Sequence, residues 1–211
     1  PDRRAPTTFA RPLGSAERAA LDALLAAHAP DDPLEAAMLR RIVGFAAAAE
    51  DPFSRANPEG HLTGSAFVID PRGRLLLVHH RKLGIWVQPG GHADVERLAH
   101  RVALREAAEE SGLPDLAFHG ALHLEDGAPA LLDVDVHAIP ARPGEPAHEH
   151  FDLRFLLSTA MPDTVRGAPG EVAAAAWFAP ADAARRADPG VARAAAKVER
   201  LVGTTRPGGP G

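Results

Sequence analysis

Three glutamates and an arginine crowd into nine residues, Arg105–Leu113, which read REAAEESGL. On a helix, Glu106, Glu109 and Glu110 stand at i, i+3 and i+4, so at about 100° per residue they share one stripe. Leu104, Ala107 and Ala108 fall toward the other side, where they can pack on a sheet. Like charges on one stripe repel by roughly a few tenths of a kcal/mol per pair. Arg105, one turn before Glu109, offsets only part of that repulsion. A carboxylate cluster with too few cationic partners is the donor set of a divalent cation. The plain alternative is a solvated helix face.

A wider pattern favours the cation site. Gly91 stands fourteen residues before Arg105, and a chance match of the invariant types in one chain is on the order of 10⁻⁴ or less. The segment Gly91–Leu113 resembles the Nudix box, G-x5-E-x7-R-E-U-x-E-E-x-G-U with U aliphatic. Gly91, Arg105, Glu106, Ala107, Glu109, Glu110, Gly112 and Leu113 fall on its positions. The preceding WVQPGG (Trp86–Gly91) is similar to the strand and turn that lead into the box, and the resemblance extends over about His61–Asp182. It implies an α/β/α sandwich with a mixed sheet and hydrolysis of a phosphoanhydride with Mg²⁺, or Mn²⁺, as cofactor. The implied metal ligands are the Gly91 carbonyl and the carboxylates of Glu106 and Glu110, with Glu109 joining directly or through water. Arg105 is implied to hold the glutamates by a charged hydrogen bond, and these four side chains are the implied catalytic set. A further acidic residue from outside the box is also implied. Glu171 is the candidate, and Glu149 is a rival that strand alternation points the wrong way. One position departs: Arg97 stands where the box has its first glutamate, with Glu96 adjacent as a substitute.

Around the box, HEHFDLRF (His148–Phe155) alternates as a strand does. His148, His150, Asp152 and Arg154 share one face, and Glu149, Phe151, Leu153 and Phe155 the other. The polar face is a candidate substrate wall, against the alternative of an exposed sheet face. The strand end HHRK (His79–Lys82) is a candidate phosphate contact through His79, Arg81 or Lys82, or else a charged turn. His92 follows the glycine ligand position and is a further substrate candidate. Trp86 and Phe118 suit the core better than base stacking.

Those groups need elements to position them. The 211 residues carry 45% hydrophobic and 24% charged residues, a formal charge of −5 and no cysteine. One domain with an added subdomain fits that length. The lack of cysteine excludes disulfides and thiolate metal sites, which leaves oxygen and imidazole donors. Mild acidity is not the footprint of a duplex nucleic-acid binder. No apolar run approaches the roughly 18–20 residues that span a bilayer. The basic start of the chain lacks the apolar segment of a secretory signal, so the expected setting is cytoplasmic.

Residues 1–58 are expected to form an irregular arm and a helical extension, residues 59–204 the Nudix-like domain, and 205–211 a frayed tail. In the extension, one helix runs about Ser15–His28 with Ser15 as N-cap. The next opens with Asp32 as cap, Pro33 in the first turn and Glu35 completing a D-x-x-E box, and runs to about Glu50. Strands are expected at Leu62–Asp70, Arg74–His80, Ile85–Gln88, Leu122–Leu124, Ala130–Ile139, His150–Leu157 and Ala173–Phe178. Pro89-Gly90-Gly91 should stop the third. Val95–Ser111 has helical spacing with Gly112 as its stop, and Ala179–Ala187 and Val191–Val202 close the chain as helices.

The functional expectation is a Nudix-type hydrolase acting on a nucleoside diphosphate linked to another moiety, ADP-ribose-like, or on another nucleotide. Pro129, sixteen residues after Leu113, hints at the ADP-ribose class, while the absence of tyrosine removes a mark of dinucleoside polyphosphate enzymes. The competing class is a Nudix-fold binding protein that senses a nucleotide without cleaving it; the intact REAAEE favours catalysis. The expected partner is a small-molecule diphosphate, with no nucleic-acid polymer and no membrane. The N-terminal helices are a lid, a packed extension, or an arm for a homodimer.

Overall fold

The computed structural model describes residues 11–81, 84–168 and 172–204. The arm before residue 11, Lys82, Glu171 and the tail 205–211 lie outside the described residues. Two helices, α1 (Ser15–Ala27) and α2 (Pro33–Ala48), precede strands β1 (Gly60–Ile69), β2 (Leu75–His80), β3 (Ile85–Val87) and β4 (Gly90–His92). Helix α3 (Ala99–Ser111) carries the glutamate stripe. Strands β5 (Ala117–Phe118), β6 (Asp133–Ile139), β7 (His148–Ser158) and β8 (Val172–Phe178) follow, and α4 (Pro180–Arg186) and α5 (Pro189–Thr204) close the chain.

The strands form one mixed sheet with β1 as its hub. On one side β1 runs parallel to β7 along its whole length, Gly60 beside Glu149 through Ile69 beside Ser158. On its other side it forks: residues 63–65 pair antiparallel with β4, and Val68 and Ile69 pair antiparallel with β2. The outer edge of β7 carries β6 and the short β5, while β2 carries β3 and β8.

Both faces of the sheet are covered, which is why β1 is buried at every position. On one face, Leu62, Ala66, Val68, Leu153 and Phe155 pack with Val102, Ala103 and Ala107 of α3 and with Ile42 and Ala46 of α2. Helix α3 can lie this close because Gly64 has no side chain: a Cβ there would sit 2.8 Å from the Ala99 carbonyl and 2.9 Å from the Val102 Cβ. Phe45 of α2 stacks on Phe151 with centroids 4.3 Å apart. On the other face, Phe67, Ile69, Leu75, Leu77 and Leu156 meet Ala183 of α4 and Val191, Ala194, Ala195 and Val198 of α5. The α/β/α sandwich expected from the sequence is the observed architecture.

The N-terminal helices form where expected, with different end chemistry. Gly14, not Ser15, is the N-cap of α1, and its amide donates to Glu17 at 2.8 Å. Asp32 caps α2 by accepting from the Glu35 amide at 2.9 Å. Glu35, however, accepts from Asp31 and turns into the core. There it meets His28 at 2.8 Å and Lys197 of α5 at 2.5 Å. Burial alone would raise its pKa; the His28 and Lys197 hydrogen bonds hold it down, at about 2.

Other boundaries shift for local reasons. Helix α3 begins at Ala99 rather than Val95, because Asp94 takes a left-handed φ of 51° and the Glu96 carboxylate accepts the amides of Arg97 and Leu98. The third strand stops before Pro89 as expected, and Gly90–His92 then forms a separate strand, β4, paired with β1. Leu122–Leu124 makes only an isolated bridge, between His123 and Pro129, and β6 starts at Asp133, three residues later than expected. Ala117–Phe118 pairs with Leu157–Ser158, which sequence pattern did not indicate.

Candidate active site

Strand β4 brings the glutamate stripe against main chain. Gly90 pairs with Ser65 and Gly91 with Gly64. A Cβ on Gly91 would lie 2.6 Å from Cδ and Oε2 of Glu106, so glycine alone lets that carboxylate settle on the strand. The Gly90 amide donates to Glu110 Oε2 at 3.2 Å. Arg105 ties the group together. Its Nη1 lies 2.8 Å from Glu106 Oε1 and 3.1 Å from Glu109 Oε2, and its Nη2 donates to the His92 carbonyl at 2.6 Å. One arginine therefore sets the spacing of two glutamates and anchors both to β4. Glu110 is buried, the Glu106 side chain is 14% exposed and that of Glu109 60%.

The electrostatics of this group fit a hard cation. Burial raises the Glu106 pKa to about 7, Glu109 and Asp94 add to the rise, and Arg105 opposes it. A buried carboxyl that holds its proton near neutrality is one that a divalent ion would deprotonate and bind. The donors are all oxygen, as Mg²⁺ and Mn²⁺ require.

Arg97, the departure from the box, is buried rather than exposed. Its Nη2 lies 2.8 Å from Asp51 Oδ2, and its Nη1 donates to the carbonyls of Asp94 and Glu96 at 2.8 Å each. The loop that enters α3 is thus clamped to the linker that follows α2. Asp51 supplies the negative charge and Arg97 the positive.

The opposite face of the same strands is built from imidazoles. Since Gly91 faces α3, alternation sends the His92 side chain the other way. There it meets His61 at a centroid distance of 5.0 Å and His150 at 5.1 Å. His61 lies beside His150 in the parallel β1–β7 register, 4.8 Å between centroids, and 5.1 Å from His148. His137 of β6 reaches His150 from the far side at 5.4 Å. Burial pushes His61 down to about 3, His92 to about 4 and His150 to about 2, and the neighbouring imidazoles add to the lowering for His61 and His150. These rings are neutral at pH 7.

Below the histidines the same face turns into an ionic network. Asp152 accepts from Thr63 at 3.0 Å, Ser65 at 2.7 Å, Gln88 at 3.2 Å and Arg154 at 2.9 Å. Arg154, 2% exposed, also lies 3.3 Å from Asp133 and 3.1 Å from Asp135. Arg193 and Lys197 of α5 close on Asp133 from above, at 2.8 and 3.1 Å.

The residues singled out from sequence thus divide into groups. Gly91, Arg105, Glu106, Glu109 and Glu110 come together on the α3 side. His92, His148 and His150 come together on the opposite face, while Asp152 and Arg154 lie below them with internal partners. His79 and Arg81 stand apart at the end of β2: His79 contacts Trp86, and Arg81 donates to the Val172 carbonyl at 3.4 Å. Glu171 lies outside the described residues, and Glu149 faces α2, where Arg41 pairs with it. Sequence reasoning missed His61, His137, Gln88 and Asp135. His61 shares the alternation of Thr63 and Ser65, but only the β1–β7 register shows that it meets His150.

Two solved structures share the fold. An Ap4A hydrolase from C. elegans, solved as a binary complex, has a TM-score of 0.53 at 17% identity, over 68% of this chain and 98% of that one. A NUDIX-family hydrolase from Clostridium perfringens has a TM-score of 0.50 at 23% identity, over 67% and 97%. No curated protein matches the sequence. A profile of the NUDIX domain matches residues 61–201, two thirds of the chain and the whole of the site around Gly91 and α3. The chain belongs to the NUDIX family and is a hydrolase of the pyrophosphohydrolase class.

Proposed function

We propose that the protein is a Mg²⁺-dependent hydrolase that cleaves the phosphoanhydride of a nucleoside diphosphate linked to another moiety, or of a related nucleotide. The observation that carries this reading is the fit of Glu106 and Glu110 against Gly90–Gly91, with Arg105 spanning Glu106, Glu109 and the His92 carbonyl. Glu106, Glu110 and the Gly91 carbonyl would hold the cation, and exposed Glu109 would join them directly or through water. A bound divalent ion neutralises the diphosphate, polarises the scissile P–O bond and lowers the pKa of a bound water. A carboxylate of the stripe takes the proton from the attacking water. Arg105 keeps the stripe aligned while its charges change. Arg81, exposed at the end of β2, is available to a phosphate, and Asp152 and Arg154 act by fixing the sheet beneath the histidines.

The test is a panel of diphosphates assayed for phosphate or monophosphate release with Mg²⁺ or Mn²⁺. It includes ADP-ribose-like compounds and, because the similar C. elegans protein is an Ap4A hydrolase, dinucleoside polyphosphates. One substrate should turn over, and Glu110→Gln should lower its kcat by at least about a hundredfold, the scale on which a lost charge-stabilising group acts, with an unchanged circular dichroism spectrum. Full activity in Glu110→Gln removes the mechanism. Tight binding of one compound with no release from any favours a nucleotide sensor.

A further inference from the structure

We propose that His61, His148 and His150 form a second metal site, for a divalent transition-metal ion such as Zn²⁺, on the face of the sheet opposite the glutamates. One ring nitrogen from each lies within 4.8 Å of the others. His148 Nε2 and His150 Nε2 are 3.3 Å apart. That equals the edge of a tetrahedron around an ion with Zn–N bonds of about 2.0–2.1 Å, which is roughly 3.3–3.4 Å.

Two further observations point to a ligand. His148 Nδ1 lies 2.9 Å from the Pro146 carbonyl. A carbonyl only accepts, so Nδ1 carries the proton and Nε2 presents its lone pair to His150. Histidine ligands are held by this same outer hydrogen bond. His61 is 2% exposed, yet neither of its ring nitrogens has a hydrogen-bond partner among the described residues, and the same holds for His92 Nε2 nearby. Leaving a polar atom buried without a partner costs roughly 1–3 kcal/mol. An ion at the centre of the cluster would satisfy a His61 ring nitrogen directly.

The chemistry separates this site from the carboxylate one. Imidazole nitrogen is a borderline donor that suits Zn²⁺, Ni²⁺, Cu²⁺ or Fe²⁺, and Mg²⁺ selects against it. Arg55, whose charge is felt at His61 and His92, is paired with Glu145 at 3.2 Å, which moderates its repulsion of an incoming ion. The ligands come from two strands, so the ion would pin the start of β1 to the start of β7. Three protein ligands would leave one position of a four-coordinate ion open.

Titration of the full-length chain with Co²⁺, followed by visible absorption, tests the proposal. Co²⁺ held by three imidazoles in a four- or five-coordinate site absorbs strongly, whereas a six-coordinate carboxylate site absorbs weakly. About one strongly absorbing equivalent is expected. Zn²⁺ should displace it, excess Mg²⁺ should not, and Glu110→Gln should retain it. His148→Gln and His150→Gln should each weaken it by at least about tenfold while the circular dichroism spectrum stays that of the parent. His148 and His150 are half-buried, so these substitutions spare the core, and the parent titration needs no variant at all. Absence of strong bands in the parent overturns the site, as does their persistence in the His148→Gln, His150→Gln double variant or their loss in Glu110→Gln. None of these outcomes depends on Mg²⁺-driven turnover, so this site and the hydrolase reading can fail separately.

Discussion

The two faces of the β1–β4 region solve opposite problems with charge. On the α3 side, Glu106 and Glu109 share one arginine, and Glu106 keeps its pKa near 7 because burial and negative neighbours outweigh Arg105. Under the histidines, three aspartates meet Arg154, Arg193 and Lys197, and burial of Asp135 is overcome by His137, Arg154 and Arg193, which hold it well below the usual range. The first group is left short of positive charge and the second is filled with it. The difference marks which one awaits an ion. A neutralised network serves as scaffold, and a group short of cations serves as a site.

The largest effect should come from breaking the neutralised network. Arg154→Met removes the cation that touches Asp152, Asp133 and Asp135. Uncompensated buried charge costs about 3–5 kcal/mol, so the urea midpoint should fall steeply. A loss below about 1 kcal/mol, the worth of an exposed pair, would show that the two faces do not differ in this way. Removing charge from the other face should go in the opposite direction, which makes the pair of experiments a direct contrast.

Next in size is the Arg97–Asp51 clamp, both of whose side chains are buried. Restoring the box residue by Arg97→Glu would set two carboxylates against each other and should destabilise the protein by about 2–4 kcal/mol. Adding Asp51→Arg should recover at least half of that. If Arg97→Glu alone is neutral, Arg97 is not the structural replacement that its contacts indicate. Thermal unfolding of the three variants settles this, with turnover per folded molecule as a second readout of how well α3 is held.

The same contrast explains what could be read from sequence. The glutamate site lies within Gly91–Leu113, and a helix places i, i+3 and i+4 together whatever the rest of the chain does, so its geometry is local. The faces of His148–Phe155 were legible for the same reason, because alternation is local too. The histidine cluster is not local. His61 and His150 are neighbours only through a parallel register, and nothing in the pattern of either strand encodes the offset between them. Glu35 shows the same limit within the extension. Its spacing from Asp32 reads as a capping box, but its side chain is claimed by Lys197, a residue from the far end of the chain. The start of α3 shifted because Asp94 adopts a positive φ, which helical periodicity does not report.

The smallest effect, and the one that defines the glutamate face, is the pH dependence of Glu106. Its folded pKa is raised from 4.5 to about 7. The folded chain therefore binds this proton more tightly than the unfolded chain does. The stability this contributes is fully present below pH 4.5 and is lost as pH rises through 7. In a chelator, Glu106→Gln should remove this fall and leave the protein more stable than the parent at pH 8, by on the order of 1–2 kcal/mol. Saturating Mg²⁺ should reverse the ranking, since only the parent regains a full ligand set and the stabilisation that binding brings. The readout is the melting temperature of both proteins at pH 5 and pH 8, with and without Mg²⁺. A Glu106→Gln protein that is less stable than its parent at pH 8 in chelator would mean that Arg105 already balances the carboxylates, and the glutamate face would then be scaffold like its counterpart.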